Sequence, residues 1–358
     1  MMMSSRSVVV KVGTSSVTNG EGGVDTDVLH SLAADISQLH ESGVRVVLVT
    51  SGAITAGWTD VGRGAPRPSA PQVLQAVSAV GQPLLMSAWR DAFAPYGILV
   101  GQVLLAPLDF AHRGQYLQAR GTLEALGDLG VIAIVNENDA VSDEEIRFGD
   151  NDRLAALTAN LVAAELLVLL TDTDGLLTAD PRLDANATLI EEVTSIDHDV
   201  ELLAGKSGSD VGSGGMSSKL AAARMATWSG IRAIIAPARA TTPILRAVDD
   251  DTGFGTTFHA RTERLSARKA WIAFALPTLG HFTLNDGAIR AIEKDGRSLL
   301  RIGIEHVTGA FEEGDAVEIL DPAGALVAKG LTRVSAESFD QGDDVAVHRD
   351  DLVLLRRS

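Results

Sequence analysis

Val8-Val9-Val10-Lys11-Val12-Gly13-Thr14-Ser15 is a β-branched run, interrupted by one lysine and closed by a glycine junction. Similar apolar runs return at Val44–Thr50, Ile98–Leu105, Val131–Val135, Leu166–Thr171 and Ile231–Ala236. A half-exposed strand alternates apolar and polar residues, so near-continuous runs predict strands covered on both faces. Between them the spacing predicts helices over Asp25–Ser42, Val73–Phe93, Tyr116–Leu126, Arg153–Ala164 and Met216–Trp228. In the first, Val28, Leu29, Leu32, Ala33, Ile36, Leu39 and His40 share one stripe, and Gly43 ends it. Strand and helix in alternation predict an α/β sandwich around a mostly parallel sheet.

The pattern changes near Lys269. Turn signals crowd in at Asn285-Asp286-Gly287, Lys294-Asp295-Gly296, Glu313-Gly314-Asp315, Asp321-Pro322-Ala323-Gly324 and Gln341-Gly342-Asp343. Between them, short runs at Val317–Leu320, Leu326–Ala328 and Val345–Val347 predict a small β-rich domain. The expected organisation is a first domain over residues 1–259, a polar linker over 260–268 and a β-rich domain over 269–358. A chain of 358 residues suits two domains.

Composition excludes several chemistries. The absence of cysteine removes disulfides, thiol nucleophiles, Cys-ligated zinc and iron–sulfur clusters. The net charge is −17, and residues 268–358 carry 15 acidic against 11 basic side chains, so both parts are acidic. Strong binding to nucleic acid or an anionic membrane needs a basic field. Neither a leader nor a spanning helix is legible, and a cytoplasmic protein is expected.

Three glycine-bearing junctions follow strand ends, where open α/β sheets take their ligands. They are Lys11-Val12-Gly13-Thr14-Ser15-Ser16, Thr50-Ser51-Gly52-Ala53 and Gly212-Ser213-Gly214-Gly215-Met216-Ser217-Ser218-Lys219, the last leading into a helix. Glycines admit backbone amides close to phosphate, and a helix N-terminus adds a favourable dipole. The chain has 24 arginines and six lysines, and Lys11, Lys206 and Lys219 are the only lysines before Arg268. A lysine kept beside glycines suits a compact, mobile point charge. Gly205-Lys206-Ser207 resembles the end of a Walker loop, but Val200 stands at the required first glycine. Acidic clusters follow further strands at Asn136-Glu137-Asn138-Asp139, Gly149-Asp150-Asn151-Asp152 and Thr171-Asp172-Thr173-Asp174. Such clusters suit a cation or an ammonium, and equally plain turns.

In their order, Val10–Ser15, Val49–Ile54, Asn136–Val141, Gly149–Asp152, Leu170–Asp172, Thr178-Ala179-Asp180-Pro181-Arg182 and Gly214–Lys219 resemble the glutamate 5-kinase family. The resemblance implies the amino-acid-kinase fold, an eight-stranded αβα sandwich, with a C-terminal PUA domain. It implies that ATP and L-glutamate give ADP and γ-glutamyl phosphate, the first step of proline biosynthesis. It places Lys11, Thr171, Asp172, Ser213, Gly214, Gly215, Met216, Ser217, Ser218 and Lys219 at ATP. Ser51, Asp139 and Asn151 fall at glutamate, and Asp150 is expected to organise the two catalytic lysines. Leu177 stands where the family often has tyrosine.

The expected nucleophile is the substrate's own γ-carboxylate, so no protein nucleophile is needed. The task is to bring two anions together by positioning and charge neutralisation, with Mg²⁺ held mainly by the ATP phosphates. The resemblance further implies a dimer or tetramer, a proline feedback inhibitor and a downstream glutamyl phosphate reductase. The alternatives are another acyl-phosphate-forming kinase, such as N-acetylglutamate kinase, an RNA-binding protein using its tail, or a non-catalytic amino-acid sensor.

Overall fold

The computed structural model describes residues 6–19, 23–62, 65–141, 151–184, 186–196, 198–205, 215–339 and 345–356. The chain forms two compact units, Met1–Arg264 and Leu265–Ser358. Elements of the first are β1 (Ser7–Val12), α1 (Thr14–Val17), α2 (Thr26–Glu41), β2 (Arg45–Thr50), α3 (Ala53–Gly62) and α4 (Pro71–Phe93). There follow β3 (Val100–Leu105), α5 (Pro107–Ala111), α6 (Arg113–Asp128), β4 (Ile132–Glu137), α7 (Asn151–Leu161) and β5 (Leu166–Thr171). The unit ends with β6 (Glu192–Val193), α8 (His198–Gly205), α9 (Met216–Trp228), β7 (Arg232–Pro237), α10 (Pro243–Asp249) and β8 (Thr256–Phe258).

The eight strands form one sheet in the order β3-β4-β2-β1-β5-β7-β8-β6. All pairings are parallel except β7 with β8. β1 is interior and pairs with β2 and β5, which explains why its run lacks polar alternation. Side chains along a strand alternate between faces. Val8, Val10 and Val12 therefore enter the core with α2, α4 and α10, built on Leu32, Ile36, Leu85, Trp89 and Ile244. Val9 and Lys11 point to the opposite face. Helices there shield the sheet from water, completing the expected three-layer sandwich. Among the described residues no helix is long and apolar enough to cross a membrane.

Asp35 of α2 caps α10 across the core. Its Oδ2 accepts the N–H of Ile244 at 2.9 Å and of Leu245 at 3.4 Å, two amides that a helix start leaves without internal partners.

In the second unit, α11 (Ala267–Ala270) runs into a π-turn at Trp271–Ala275. The remaining elements are β9 (Gly280–Leu284), α12 (Asp286–Glu293), β10 (Leu299–Leu300), β11 (Ile304–Gly309), β12 (Ala316–Leu320), β13 (Leu326–Thr332) and β14 (Val345–Leu354). The six strands form a sheet ordered β10-β14-β13-β12-β9-β11. Phe282, Phe311, Val317, Ile319, Val327 and Val347 build its core. The strand expected at Leu326–Ala328 continues through Lys329-Gly330 to Thr332. Lys329 is buried, with Nζ donating to Leu276 O at 2.6 Å. A Cβ at Gly330 would stand 2.5 Å from Val347 Cγ1, so the neighbouring strand needs glycine there.

Candidate functional site

The junctions picked out by the sequence gather at the C-terminal edge of β1, β2, β4 and β5. Lys11 lies one residue from the end of β1, between Val49 and Leu169 of its neighbours, and is only 3% exposed. On the same face Asp152 opens α7, which packs on β1, and Lys219 sits in the first turn of α9, which packs on α7. Lys11 Nζ lies 2.5 Å from Asp152 Oδ1, and Lys219 Nζ donates to Asp152 Oδ2 at 3.2 Å. Ser218 Oγ donates to the same Oδ2 at 2.9 Å. Asp152 is fully buried and Lys219 is 6% exposed.

Among the described residues two ammoniums meet one carboxylate in a sequestered place. The position of Asp152 in the first turn of α7 favours its anion through the helix dipole. Gly215 caps α9 without a side-chain hydrogen bond, so the first amides of that helix, beside Lys219, suit phosphate oxygens.

Consecutive helical residues diverge by about 100°. Asn151, next to Asp152, therefore faces elsewhere. Its Nδ2 lies within donor distance of Thr50 O (3.0 Å), Ser51 Oγ (2.7 Å) and Asn136 Oδ1 (2.9 Å). The Thr50 carbonyl can only accept, which fixes the amide orientation. Asn151 Oδ1 is buried and has no hydrogen-bond partner among the described residues, an acceptor open to a ligand's donor. Beyond β4, Asp139 Oδ2 accepts from Ser78 Oγ of α4 at 2.6 Å. Thr171 ends β5 buried, its Oγ1 donating to exposed Asp172 at 3.1 Å.

The structure thus brings Lys11 with Lys219 and Ser218, and Ser51 with Asn151. Gly215, Met216 and Ser217 lead into the same turn of α9. Ser213, Gly214 and Asp150 lie outside the described residues, as do Lys206 and Ser207. Among the described residues the aspartate that meets both lysines is Asp152, two positions after Asp150, to which the resemblance gave that role. Asp152 stands in the same quoted tetrapeptide, but spacing alone does not say that its carboxylate turns toward the lysines. The sequence does not single out Ser78, and Asn136, though part of the quoted cluster after Val131–Val135, received no role of its own. A lone serine inside an amphipathic helix carries no signal, whereas the Asn136 side chain is marked by its polar place at the end of an apolar strand.

Asp180 closes a local clamp in the quoted Thr178–Arg182 motif. Its carboxylate takes the Arg182 side chain through both oxygens, at 3.0 and 2.7 Å, and accepts the Arg182 N–H at 2.9 Å. These bonds, the side chain's first, hold its carboxyl below the usual carboxylate range. Among the described residues no group of three or more His, Asp or Glu side chains could hold a metal ion.

Comparison with known proteins gives the same picture. The amino acid kinase family profile matches residues 6–237, and the PUA domain profile residues 280–349. Glutamate 5-kinase of Citrifermentans bemidjiense is 44% identical, over 97% of each chain. Glutamate 5-kinase of Nitrosomonas eutropha is 43% identical, over 99% of each. Carbamate kinase from Giardia lamblia bound to AMP-PNP superimposes with a TM-score of 0.52 at 18% identity, covering 72% of this chain and 99% of its own. At that identity the likeness speaks for the fold alone. With both profiles in place and near-complete coverage at over 40% identity, the chain belongs to the glutamate 5-kinase family.

Proposed function

We propose that this protein transfers the γ-phosphoryl group of ATP to the γ-carboxylate of L-glutamate, giving ADP and γ-glutamyl phosphate at the first step of proline biosynthesis. The observation that carries the mechanism is the pair of ammoniums, Lys11 and Lys219, that share the buried carboxylate of Asp152. A carboxylate oxygen of the substrate attacks the γ-phosphorus in line, and the bond to the β–γ bridging oxygen breaks toward ADP. Both reactants are anions, so the lysines serve by offsetting charge on the transferring group and its approach. No protein base is needed, since the nucleophile is already ionised. Lys11, Thr171, Asp172 and the stretch from Ser213 to Lys219 serve the nucleotide, and Mg²⁺, when bound, would supply further offset of phosphate charge. Ser51, Asp139 and Asn151 hold glutamate, with Asp139 against the ammonium.

The enzyme is expected in the cytoplasm as a dimer or tetramer, subject to proline inhibition, and passing its labile product to a glutamyl phosphate reductase. Incubation with ATP, Mg²⁺, glutamate and hydroxylamine tests substrate and reaction together, because hydroxylamine captures acyl phosphates. Glutamyl hydroxamate is expected. ADP release without hydroxamate would overturn the reading.

A further inference from the structure

We infer that Ser78 is a positioning residue that sets the preference for an acceptor with a free α-ammonium, by holding the carboxylate of Asp139. The inference rests on the proposed function and deepens it. Ser78 is 1% exposed, and its hydroxyl donates to Asp139 Oδ2 at 2.6 Å. That is the short distance of a hydroxyl on an ionised carboxylate. Helical serines often return their hydroxyl to a carbonyl of the preceding turn. Ser37 of α2 does so, to Ala33 O at 2.6 Å. Ser78 instead reaches off its helix to the loop after β4.

The helix that carries it has no freedom to slide. A Cβ on Gly81 would stand 1.7 Å from Ala53 O, and one on Gly57 would stand 2.1 Å from Val77 O. α3 and α4 therefore cross backbone against backbone at the residues flanking Ser78. α3 starts just after Ser51, so one crossing fixes Ser78 relative to the β2 junction. A carboxylate with one oxygen tied to a rigid donor is ordered before the substrate arrives, and less freedom is lost on binding. The benefit exists only for an acceptor that places a cation against Asp139.

Glutarate keeps both carboxylates of glutamate and lacks its ammonium, so it separates orientation from packing. Kinetics and calorimetric binding with both acceptors are compared for the wild type, Ser78→Ala, Ser78→Thr, Asp139→Asn and the Ser78→Ala/Asp139→Asn double variant. Ser78→Ala is expected to raise KM for glutamate about tenfold, the size of one lost hydrogen bond to a charged group, with kcat and KM for ATP within about twofold. Glutarate should be unaffected, so the preference for glutamate falls by the same factor. Ser78→Thr, which keeps the hydroxyl, should restore it, and Ser78→Ala should add little once Asp139 is asparagine. Equal losses for both acceptors, an unchanged preference or additive losses in the double variant would overturn the inference while leaving the glutamate reaction standing. A wild-type enzyme indifferent between glutamate and glutarate would overturn the reading of Asp139 and this inference with it.

Discussion

Lys11 Nζ lies 2.5 Å from Asp152 Oδ1, both side chains are buried, and the bond joins the central strand to the helix that packs on it. Lys219 closes the triangle from a third element, α9. Removing an arm of this assembly affects chemistry first. Lys11→Ala and Lys219→Ala should each lower kcat by on the order of a hundred- to a thousandfold, the usual effect of deleting a preorganised donor. The hydroxamate assay measures it, with circular dichroism to verify folding. Near-normal turnover in either variant would take that lysine out of the mechanism.

Asp152→Asn should act on stability as well. It removes the buried carboxylate that both ammoniums share, and breaking a buried pair by removing one partner commonly costs about 3–5 kcal/mol. Denaturant midpoints should fall accordingly. Added ATP should recover more stability in this variant than in the wild type, because the nucleotide's anion supplies negative charge that the substitution removes. A variant as stable as the wild type would show that the triangle carries little of the fold.

Asp139 predicts substrate choice. N-acetylglutamate removes the ammonium and presents a neutral amide to a carboxylate held by Ser78. A strong preference for glutamate is expected, on the scale of about 3–5 kcal/mol for removing one member of a buried ion pair. Comparison of kcat/KM for the two acceptors decides it. Equal values would contradict the assignment of Asp139.

The crossing of α3 and α4 predicts a coupled defect. Gly81→Ala places a methyl group where Ala53 O already stands, and no flexible side chain can yield. Overpacking of this kind costs about 1–3 kcal/mol or more. Because the same crossing holds Ser78 and the start of α3, KM for glutamate should rise along with the loss of stability. Chemical denaturation and steady-state kinetics on one preparation test both.

Two aspartates predict opposite pH slopes. Burial pushes the Asp35 carboxyl above its ordinary value of 3.8, against the pull of the Ile244 and Leu245 amides. The folded state then binds that proton more tightly, so stability from Asp35 falls as pH rises from 3.8 through the raised native value. Asp35→Asn keeps an oxygen acceptor and should flatten that slope. Asp321 in the second unit is held below 3.8 by the Ala325 N–H, with Arg356 and Ala323 adding to it against partial desolvation. Its contribution is present above 3.8 and is lost as pH falls through the lowered native value, and Asp321→Asn should abolish it. Unfolding midpoints across the acid range, in each variant, measure both; unchanged slopes would contradict them.

Much of the fold was legible because burial on both faces writes itself into a strand. The runs around Val8–Val12 and Leu166–Thr171 have no polar alternation, and both lie inside the sheet. Short elements were less readable. Thr256–Phe258 has too few residues to show a period, and its pairing with β7 depends on chain that returns from α10. Polar residues also hid the length of β13, since Lys329 reads as a strand end until its ammonium is seen to reach Leu276 O.

By itself the sequence determined the alternation of strands and helices, the two-part organisation of its pattern, and the glycine and lysine junctions at strand ends. Each is a local property, set by side-chain periodicity or by backbone freedom at a turn. The tertiary structure alone decided that Asp152 takes both lysines, and that Ser78 reaches Asp139. The first depends on the rotation of α7 against β1 and α9, which two nearby carboxylates in a sequence do not encode. The second depends on how closely α3 and α4 approach, and only the absence of both Cβ atoms at Gly57 and Gly81 allows it.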